Sequence, residues 1–374
     1  MKIAVDARAL IPEPSGIGRY TDQVLEHLHD GEDQWILCSP TRLPDRWQVR
    51  ERVELYQGKH AGRLAKLDWL TRRLPRTINA VMPDLVWGPG HRLPNGLDQR
   101  IAQVVTIHDL VWKIAPQTMP RLGLLMDQWR MPGAIRQADA IIAVSEATGA
   151  AIMQHFPAAS DKVHVVLNGV TSLAEPAPEQ RLTELGIEAG YLLFVGTPEP
   201  RKNLSRIIDA FAQLPDSVQL VIAGGRGWGG VDSADLARRA GVSARVRTVG
   251  FADDPTLSLL YRHARALLMP SLYEGFGLPL LEAMSVGVPV ITANRASMPE
   301  VAGDAGLLVD PESEEQIRDA MRRLLEDDAL ATRLGENGRR RASALSWDAC
   351  ASQTRQVFEL ACERCARRNR TTLR

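Results

Sequence analysis

Short runs of apolar residues alternate with longer amphipathic stretches along most of the chain. Continuous Val, Ile and Leu runs are typical of parallel β-strands that helices cover on both faces, so each run is interpreted as a buried strand. In the first half the predicted strands are KIAVDA, WILCSP, DLVWGP, VVTIHD, AIIAVS and VHVVLNG, and in the second half they are YLLFVG, VQLVIAGG, VRTVG, ALLMPS, VPVITA and GLLV. Because two such series alternate with helical patterns, the sequence predicts an α/β protein with two doubly wound domains.

The boundary between the two series is predicted from a change in composition. Residues 171–190, TSLAEPAPEQRLTELGIEAG, carry Pro, Ala and acidic residues and are interpreted as a linker with a lead-in helix. A chain of 374 residues is also longer than a single hydrophobic core usually supports. We therefore predict an N-terminal domain over 1–178, a second domain over 179–350, and a long amphipathic helix with an arginine-rich tail over 351–374.

Composition and charge exclude several classes of protein. The 45 basic Lys and Arg side chains balance 45 acidic ones, so no net field attracts the chain to nucleic acid. No apolar run reaches the roughly 18 residues of a membrane-spanning helix, and the N-terminus lacks the pattern of a signal peptide. Cys362 and Cys365 have C-x-x-C spacing but lie in a charged helical tail without a second pair. We therefore expect a cytoplasmic protein with reduced thiols.

Glycines follow the first predicted strand, and in an open parallel sheet ligands bind beyond the carboxyl ends of the strands. Gly16 and Gly18 are predicted to form a turn before the helix RYTDQVLEHL. Backbone N–H groups at such a turn can face an anion, although a flexible connection is the alternative. Thr21 stands at the third glycine position of a dinucleotide fingerprint, so a dinucleotide oxidoreductase is disfavoured.

Two further strand exits of the first half carry polar side chains. His108 and Asp109 follow VVTI, where a catalytic role and a structural histidine are both open. Ser145 follows AIIAV and is interpreted first as the N-cap of the next helix.

In the second half, adjacent cations follow the strand YLLFVG. Arg201 and Lys202 lie in the turn that enters the predicted helix NLSRIIDAFAQL. Two cations at a helix N-terminus oppose the helix dipole, and a pair of phosphates would compensate them. A solvated surface pair is the alternative.

Two glutamates stand in the apolar stretch SLYEGFGLPLLEAMSVGVPVI. Glu274 follows the strand ALLMPS, the turn 275–277 comes next, and Glu282 lies in a helix of about two turns that Gly287 is predicted to cap. Buried carboxylates need hydrogen-bond donors, and the vicinal hydroxyls of a sugar supply them. Two salt-bridged structural acids are the alternative.

These segments resemble, in the same order, the retaining nucleotide-sugar glycosyltransferases of family 4. The segments are VDARAL with SGIGRY, TIHDL, VSEAT, LNGV, VGTPEPRKNL, LVIAGG, VRTVGF, EGFGLPLLEA and PEVAGDAGLLVDP. The most specific of them is EGFGLPLLEA, in which seven residues separate two glutamates. The resemblance implies the GT-B fold, in which two Rossmann-like domains face each other across a cleft and the last helix crosses back to the N-terminal domain.

The resemblance also implies a catalytic set. Glu274 would hold hydroxyls of the donor sugar, and Glu282 would accept hydrogen bonds from the ribose diol. Lys202, with Arg201, would neutralise the diphosphate as it leaves. His108 would lie beside the transferred sugar.

The donor-binding set that the resemblance implies is larger. Its members are Gly16, Gly18, Thr197, Gly250, Phe251, Gly275, Phe276, Gly277, Leu278 and Glu282. The glycine turn of the second domain would seat sugar and phosphate, the glycines of the first domain would approach the phosphates, and the segment TVGF would lie near the base. Thr197 is a departure, because many family members have an arginine there, and Arg201 is expected to supply that charge.

The implied reaction needs no metal ion and no cofactor besides the donor, because side chains and helix N-termini neutralise the charge. We expect transfer of mannose or a related deoxyhexose, with a GDP-sugar favoured over a UDP-sugar, to a glycan or polyprenyl-diphosphate-linked acceptor. The basic stretch GRLAKLDWLTRRLPRT, residues 62–77, is predicted to contact anionic lipid at the inner face of the cell membrane. An ordinary amphipathic helix, packed on one face and exposed to solvent on the other, is the alternative for this stretch.

Other functions stay open at this stage. A UDP-sugar-dependent glycosyltransferase, a nucleotide-sugar epimerase of the same fold and a non-catalytic nucleotide-sugar binding protein would all share these motifs. Product analysis separates the epimerase from a transferase, and a binding protein would show no turnover.

Overall fold

The computed structural model describes residues 1–11, 15–29, 31–58, 62 and 68–372, with the backbone alone for 371 and 372. The chain forms two compact units. Unit 1 comprises Met1–Leu110, Leu125–Gly169 and Trp347–Arg374, and unit 2 comprises Val111–Leu124 and Val170–Ser346. The last helix therefore belongs to unit 1, and the predicted domain boundaries at 178 and 350 stay predictions.

Within its described residues, unit 1 is built on a parallel sheet of seven strands in the order β3-β2-β1-β4-β5-β6-β7. The strands are β1 Lys2–Asp6, β2 Gln34–Ser39, β3 Val53–Gln57, β4 Leu85–Gly88, β5 Ala102–Ile107, β6 Ala140–Ala143 and β7 Val163–Val165. Val5 pairs with Leu37 on one side and with Trp87 on the other. Because the strand order reverses between β1 and β4, the carboxyl ends of these two strands are the expected place for a ligand.

Unit 2, all of whose residues are described, is built on a parallel sheet of six strands in the order β10-β9-β8-β11-β12-β13. The strands are β8 Tyr191–Val195, β9 Leu220–Ala223, β10 Val246–Gly250, β11 Ala264–Met269, β12 Val290–Ala293 and β13 Gly306–Val309. The order repeats that of unit 1, so the reversal falls between β8 and β11. The same rule places a ligand beyond these two strands.

Helices connect the parallel strands, as crossovers between parallel neighbours require. They are α1 Gly16–Leu28, α2 Asp45–Gln48, α3 Leu74–Val81, α4 Val111–Ile114, α5 Arg121–Gln137, α6 Glu146–His155, α7 Gln180–Glu184, α8 Leu204–Phe211, α9 Ser233–Arg239, α10 Asp254–His263, α11 Leu278–Ser285, α12 Met298–Ala302, α13 Glu314–Glu326, α14 Asp328–Ser343 and α15 Trp347–Thr372. A π-helical turn, Trp69–Arg73, precedes α3, and 3₁₀ turns span Pro116–Thr118, Pro157–Lys162 and Pro200–Lys202. No described helix is both long and apolar enough to cross a membrane.

Each unit has its own apolar core. In unit 2, Phe194 of β8 packs with Phe211 of α8 and Met321 of α13, and all three side chains are fully buried. In unit 1, the long helix α15 contributes aromatic rings: the ring centroids of Trp347 and Tyr20 lie 6.1 Å apart. Because burying a large apolar side chain stabilises the fold by about 1.5–3 kcal/mol, these contacts hold the sheets and their strand exits in fixed positions.

The predicted α/β fold is confirmed, since every predicted apolar run contains a strand. The sequence analysis missed β3, whose residues VELYQ alternate in polarity and are mostly half-buried. β3 is an edge strand of its sheet, and an edge strand lacks the continuous burial that makes the others recognisable.

Two predicted helix ends differ from the structure. Gly16 and Gly18 lie in the first turn of α1 rather than in a turn before it, because Ser15 takes the N-cap position with an extended backbone. Helix α11 is capped by Val286, and Gly287 follows it with φ +80°. A residue in the left-handed region just past the cap is the common place for glycine.

The predicted membrane segment 62–77 lies partly outside the described residues, which omit 63–67. In the described remainder, Trp69 is buried and packs with Leu74 and Ile78 in the core of unit 1. Trp69 is therefore a core side chain, and contact of this stretch with lipid stays a prediction.

Candidate active site

The cations and the carboxylate singled out in the sequence meet at the reversal point of unit 2. Arg201 and Lys202 follow β8, and Glu274 follows β11, the neighbouring strand across which the strand order reverses. The loops after β8 and β11 are joined directly, because the N–H of Leu272 donates to the carbonyl of Arg201 at 2.8 Å. The topology therefore explains why residues far apart in the chain form one cluster.

A buried asparagine fixes the turn that carries the two cations. Asn203 follows the 3₁₀ turn Pro200–Lys202 and adopts φ +62°, a conformation that asparagine tolerates better than most residues. Its side-chain amide donates to the carbonyl of Pro270 at 3.0 Å and to that of Pro311 at 2.6 Å. These bonds tie the start of α8 to the loops after β11 and β13, so the backbone of the turn that carries Lys202 is held in place.

Glu274 is a buried carboxylate with donors on both oxygens. Its Oε1 accepts from Ser271 Oγ at 3.0 Å and from Lys202 Nζ at 3.2 Å, and its Oε2 is ion-paired with Arg201. Burial alone would raise the pKa of this carboxyl, but Arg201 and Lys202 outweigh that effect and hold the pKa at about 2. Glu274 is therefore ionised at neutral pH and can only accept hydrogen bonds.

Arg201 and Lys202 differ in how firmly they are held. Arg201 pairs with both Glu199 and Glu274, and it donates to the carbonyl of Tyr273 at 2.9 Å. Trp228 in turn donates to Glu199 at 3.1 Å. The planar guanidinium is thus fixed between two carboxylates, whereas Lys202 reaches Glu274 through a flexible stem.

Glycine at the exit of β8 makes room for that stem. Gly196 has φ +129°, and a Cβ at this position would lie 2.9 Å from Cε and 3.2 Å from Nζ of Lys202. Any side chain here would push the lysine away from Glu274. Thr197, the next residue, is exposed.

Glu282 is buried on α11 and has a protein partner that the sequence analysis missed. The hydroxyl of Tyr261, on α10, donates to Oε2 of Glu282 at 2.7 Å, and Glu282 is 4% exposed. A buried carboxylate needs such a donor. The predicted contact between Glu282 and a ribose diol stays a prediction.

Hydrogen bonds from Ser297 and a buried aromatic ring hold the turn 275–277 in place. Ser297 Oγ donates to the carbonyls of Glu274 at 2.9 Å and Phe276 at 3.3 Å, and the Phe276 ring is buried. Gly277 has φ +102°, and a Cβ there would lie 2.8 Å from Cε of Met298. Helix α11 starts at the next residue, Leu278, so this turn presents the N-terminus of a helix, which favours anions.

The exit of β10 also reaches this edge of the sheet. Gly250 has φ +77° and accepts a hydrogen bond from the N–H of Gly224, at the exit of β9, at 2.7 Å. Phe251 follows and is 59% exposed. An exposed aromatic ring at a strand exit is suited to stacking on a planar ligand group.

In unit 1, His108 follows β5 and is partly buried among aromatic rings. Its ring centroid lies 4.8 Å from that of Tyr20 and 5.2 Å from that of His91. Burial and the neighbouring His91 outweigh a hydrogen bond to Pro89 and lower the pKa of His108 to about 3. Its Nε2 lies 2.7 Å from the carbonyl of Pro89, which can only accept, so at neutral pH Nε2 carries the proton and Nδ1 is an acceptor.

Other residues of unit 1 complete this strand-exit region. His91 follows β4 with φ +65°, and burial lowers the pKa of its ring. His91 was not predicted as a site residue. It follows the glycines of GPGHRLP directly after a strand, and glycines after a strand are the same signal that singled out Gly16 and Gly18. Gly16 has open space where a side chain would lie, and Gly18 is buried in α1. Ser145 is confirmed as the N-cap of α6, since its Oγ accepts from the N–H of Thr148 at 3.0 Å.

The predicted site residues thus fall into two groups. Arg201, Lys202 and Glu274 are in direct contact within unit 2. The other predicted residues of that unit lie at the exits of β8 and β10, in the turn 275–277 or in helix α11. His108, Gly16 and Gly18 belong to unit 1. Among the residues that the structure describes, no three His, Cys, Asp or Glu side chains gather as a metal site would require. Burial raises the pKa of the Cys362 thiol to about 11, so the thiol is protonated at neutral pH.

Comparison with solved structures identifies the fold class. Sucrose-phosphate synthase of Thermosynechococcus elongatus gives a TM-score of 0.76 at 23% identity and covers 96% of this chain and 98% of its own. HepE of Anabaena, solved in complex with UDP and glucose, gives 0.75 at 21% identity and covers 96% and 99%. Together with the two parallel sheets, these similarities show that the chain has the GT-B fold of glycosyltransferases.

Comparison with sequences identifies the family. The model described as Glycosyltransferase Family 4 matches residues 14–172, and the model described as Glycosyl transferases group 1 matches residues 184–341. The O-antigen chain mannosyltransferase B of Escherichia coli is 30% identical over 388 residues, 96% of this chain and 100% of that protein. The chain belongs to family 4 of the glycosyltransferases.

Proposed function

We propose that this glycosyltransferase moves mannose or a related deoxyhexose from a nucleoside-diphosphate sugar to a glycan or polyprenyl-diphosphate-linked acceptor. Transfer retains the anomeric configuration and uses no metal ion. The observation that carries the proposal is the ionised, buried Glu274 in contact with two cations at the strand exits of unit 2. The similarity to an O-antigen mannosyltransferase supports the choice of sugar and acceptor.

Lys202 is the cation that we assign to the diphosphate. Arg201 already has two carboxylate partners, so its charge is compensated within the protein. Lys202 has a flexible stem and pairs with Glu274, so its ammonium can turn from Glu274 towards an anion. This assignment refines the predicted pair: Lys202 binds the diphosphate and Arg201 keeps Glu274 in position.

Glu274 and the cations then act on different parts of the donor. The carboxylate accepts hydrogen bonds from sugar hydroxyls, and Lys202 stabilises the charge that grows on the leaving diphosphate. The bond between the anomeric carbon and the diphosphate breaks while the acceptor oxygen attacks from the same face. The acceptor's proton passes to the departing phosphate oxygen, so the protein needs no covalent nucleophile.

His108 has a part in this reaction that follows from its protonation state. A neutral ring with Nε2–H bound to Pro89 leaves Nδ1 to accept a hydrogen bond from a sugar hydroxyl. With its pKa at about 3, His108 is not the acid that protonates a leaving group at neutral pH. We assign it to donor orientation.

The donor base has two candidates. A GDP-sugar agrees with the similarity to a mannosyltransferase, and a UDP-sugar is the second candidate because HepE was solved with UDP and glucose. We assign the exposed ring of Phe251 to stacking on the base, which either base permits.

A thermal-shift panel of GDP, UDP and ADP, followed by their sugar conjugates, tests the proposal. A ligand that binds only the folded protein raises its melting temperature, so one nucleotide should stand out. Incubation of that nucleotide sugar with an acceptor should give a new glycoside, and chelation of metal ions should leave the rate unchanged. An isomerised sugar nucleotide without glycoside would identify an epimerase, and binding without turnover would identify a sensor; either result contradicts the proposal.

A further inference from the structure

Arg201 has a chemical property that its assigned role does not use. The planar guanidinium of an arginine can bind phosphate oxygens through two parallel hydrogen bonds, a geometry that a lysine ammonium lacks. Arg201 and Lys202 are neighbours in the turn that follows β8. The proposed function gives the diphosphate to Lys202, so a contact that holds Arg201 away from this anion is needed.

Glu199 supplies that contact through a side chain with a separate donor on each oxygen. Its Oε1 accepts from a terminal nitrogen of Arg201, and its Oε2 accepts from Nε1 of Trp228 at 3.1 Å. The side chains of Glu199 and Arg201 are only 16% and 17% exposed. Because the pair is mostly shielded from water, parting Arg201 from Glu199 would leave a carboxylate without a compensating charge, which is costly.

Arg201 is also held by the loop that follows β11. Its second terminal nitrogen is ion-paired with Glu274 and donates to the carbonyl of Tyr273 at 2.9 Å. Both ends of the guanidinium are therefore occupied, and the two carboxylates that hold it balance its charge. When Lys202 turns to the diphosphate, Arg201 stays compensated without an anion from the ligand.

The loop that follows β9 fixes the position of Glu199. The backbone N–H of Trp228 donates to the carbonyl of Pro198 at 3.1 Å. Gly229 has φ +70°, and a Cβ there would lie 2.8 Å from Cγ of Pro200. The loop thus packs directly against the two prolines that flank Glu199, and the indole of Trp228 reaches the carboxylate from this packed position.

We propose that Glu199 is a positioning residue that keeps Arg201 on Glu274 and so reserves the diphosphate for Lys202. The inference deepens the proposed function and rests on it, because it concerns how the diphosphate of that donor is bound. Without the carboxylate of Glu199, one end of the guanidinium loses its ion pair, and Arg201 turns to the phosphate oxygens. Glu274 then loses the cation that orients it for the donor sugar.

A double-mutant cycle on nucleotide binding tests the inference. Glu199→Gln keeps the size of the side chain and an oxygen that can accept from Trp228, and it removes the charge. GDP and UDP are titrated calorimetrically into the wild type, Glu199→Gln, Lys202→Met and the double variant, and the nucleotide that binds the wild type more tightly is used. Lys202→Met should weaken binding by about tenfold in the wild type and by about twofold or less in Glu199→Gln, since Arg201 takes over the phosphate contact.

Steady-state kinetics supply a readout that a purely structural role would not give. Glu199→Gln should bind the nucleotide at least as tightly as the wild type, while kcat falls by about tenfold or more because Glu274 is no longer held in position. Loss of a structural contact alone would weaken binding and transfer together. Glu199→Asp keeps the charge and should restore the dependence of nucleotide binding on Lys202.

Glu184→Gln is the matched control, because Glu184 is an exposed carboxylate of unit 2 that pairs with Arg181 at 2.8 Å. It removes the same charge and the same kind of ion pair, so an effect of total charge alone would appear in both variants. Lys202→Met should weaken binding by about tenfold in Glu184→Gln, as it does in the wild type. Thermal unfolding of each variant shows that it is folded.

The outcomes separate this inference from the proposed function. An equal loss on Lys202→Met in the wild type and in Glu199→Gln overturns the inference even if glycosyl transfer is found. A smaller loss in Glu199→Gln supports it even if the bound nucleotide sugar is isomerised rather than transferred. A wild type that binds neither nucleotide overturns both.

Discussion

The strand exits of the two units share one topology and differ in their chemistry. Unit 2 places an ionised carboxylate and two cations beyond β8 and β11. Unit 1 places neutral rings, His108, His91 and Tyr20, beyond or beside its own strands. Both regions obey the rule that parallel sheets form sites at the carboxyl ends of strands, so the rule gives the location and the local side chains give the chemistry.

The two regions differ in charge because different groups surround the buried ionisable side chain in each unit. Around Glu274, Arg201 and Lys202 outweigh the cost of burying a charge, and the charged form persists. Around His108, burial and a second histidine act in the same direction, and the neutral form persists. One region is therefore suited to charged ligand groups, and the other to neutral hydrogen bonds.

The largest expected effect is the loss of transfer on removal of the carboxylate of unit 2. Glu274→Ala should lower kcat/KM by about 10²-fold or more, the size typical of a lost transition-state contact. Steady-state kinetics measure it. Glu312→Ala, which removes an exposed carboxylate of the same unit paired with Arg295, should be neutral. Near-normal turnover of Glu274→Ala would show that transfer does not depend on the charged cluster of unit 2.

A smaller effect should separate the two neighbouring cations. Lys202→Met keeps the stem and removes the charge, and it should weaken binding of the nucleoside diphosphate by about tenfold or more. Calorimetric titration measures the dissociation constant. Lys113→Met, at an exposed lysine of unit 2, serves as control. Unchanged affinity in Lys202→Met would indicate that Lys202 only neutralises Glu274.

The two regions should also lose stability in different pH windows. The folded pKa of His108 is about 3 against 6.5 for the free side chain, so the unfolded chain takes up this proton first and stability falls as the pH drops from 6.5 towards 3. For Glu274 the folded value is about 2 against 4.5, so its contribution is full above pH 4.5 and is lost towards pH 2.

Urea unfolding across this range measures the two contributions. Each group contributes at most about 1.4 kcal/mol per pH unit to the slope within its window. His108→Gln should flatten the profile between pH 6.5 and 4.5, and Glu274→Gln should leave that part unchanged. Equal slopes in the wild type and in His108→Gln would show that His108 is not held neutral.

The smallest effect concerns the second glutamate of unit 2. Tyr261→Phe removes the donor to the buried Glu282 and should cost about 1–3 kcal/mol of unfolding free energy. Tyr191→Phe is matched, because its hydroxyl donates to the carbonyl of Leu260 at the same 2.7 Å. The loss in Tyr261→Phe should be the larger, since it removes a donor to a side-chain carboxyl group that is buried. Equal losses would show that the contact with Glu282 is worth no more than an ordinary hydroxyl–carbonyl hydrogen bond.

Much of the fold and part of the candidate site could be predicted from the sequence. Parallel strands buried on both faces are continuous apolar runs, so they are recognisable, whereas the alternating edge strand β3 is not. The strand-exit rule also selects Glu274 and Lys202, which are in contact although 72 residues separate them in the chain.

The partners of these residues could not be predicted in the same way. Tyr261 contacts Glu282 only because α10 packs against α11. The sequence pattern of α10 predicts which of its faces is buried, but not which helix that face contacts. Asn203 and Glu199 lie beside the cations in the sequence, where an asparagine before a helix is a usable signal for a fixed turn. Which carbonyls Asn203 binds, and that Arg201 joins two carboxylates, depends on how three loops pack together.

The most direct test of the central claim is calorimetric titration of Glu274→Gln with the nucleoside diphosphate and with its sugar conjugate. The account predicts that the variant binds the diphosphate at least as tightly as the wild type, because Lys202 is released, while the sugar adds no affinity and transfer is lost. A variant that binds the sugar conjugate like the wild type and still transfers it would contradict the assignment of Glu274 to the donor sugar.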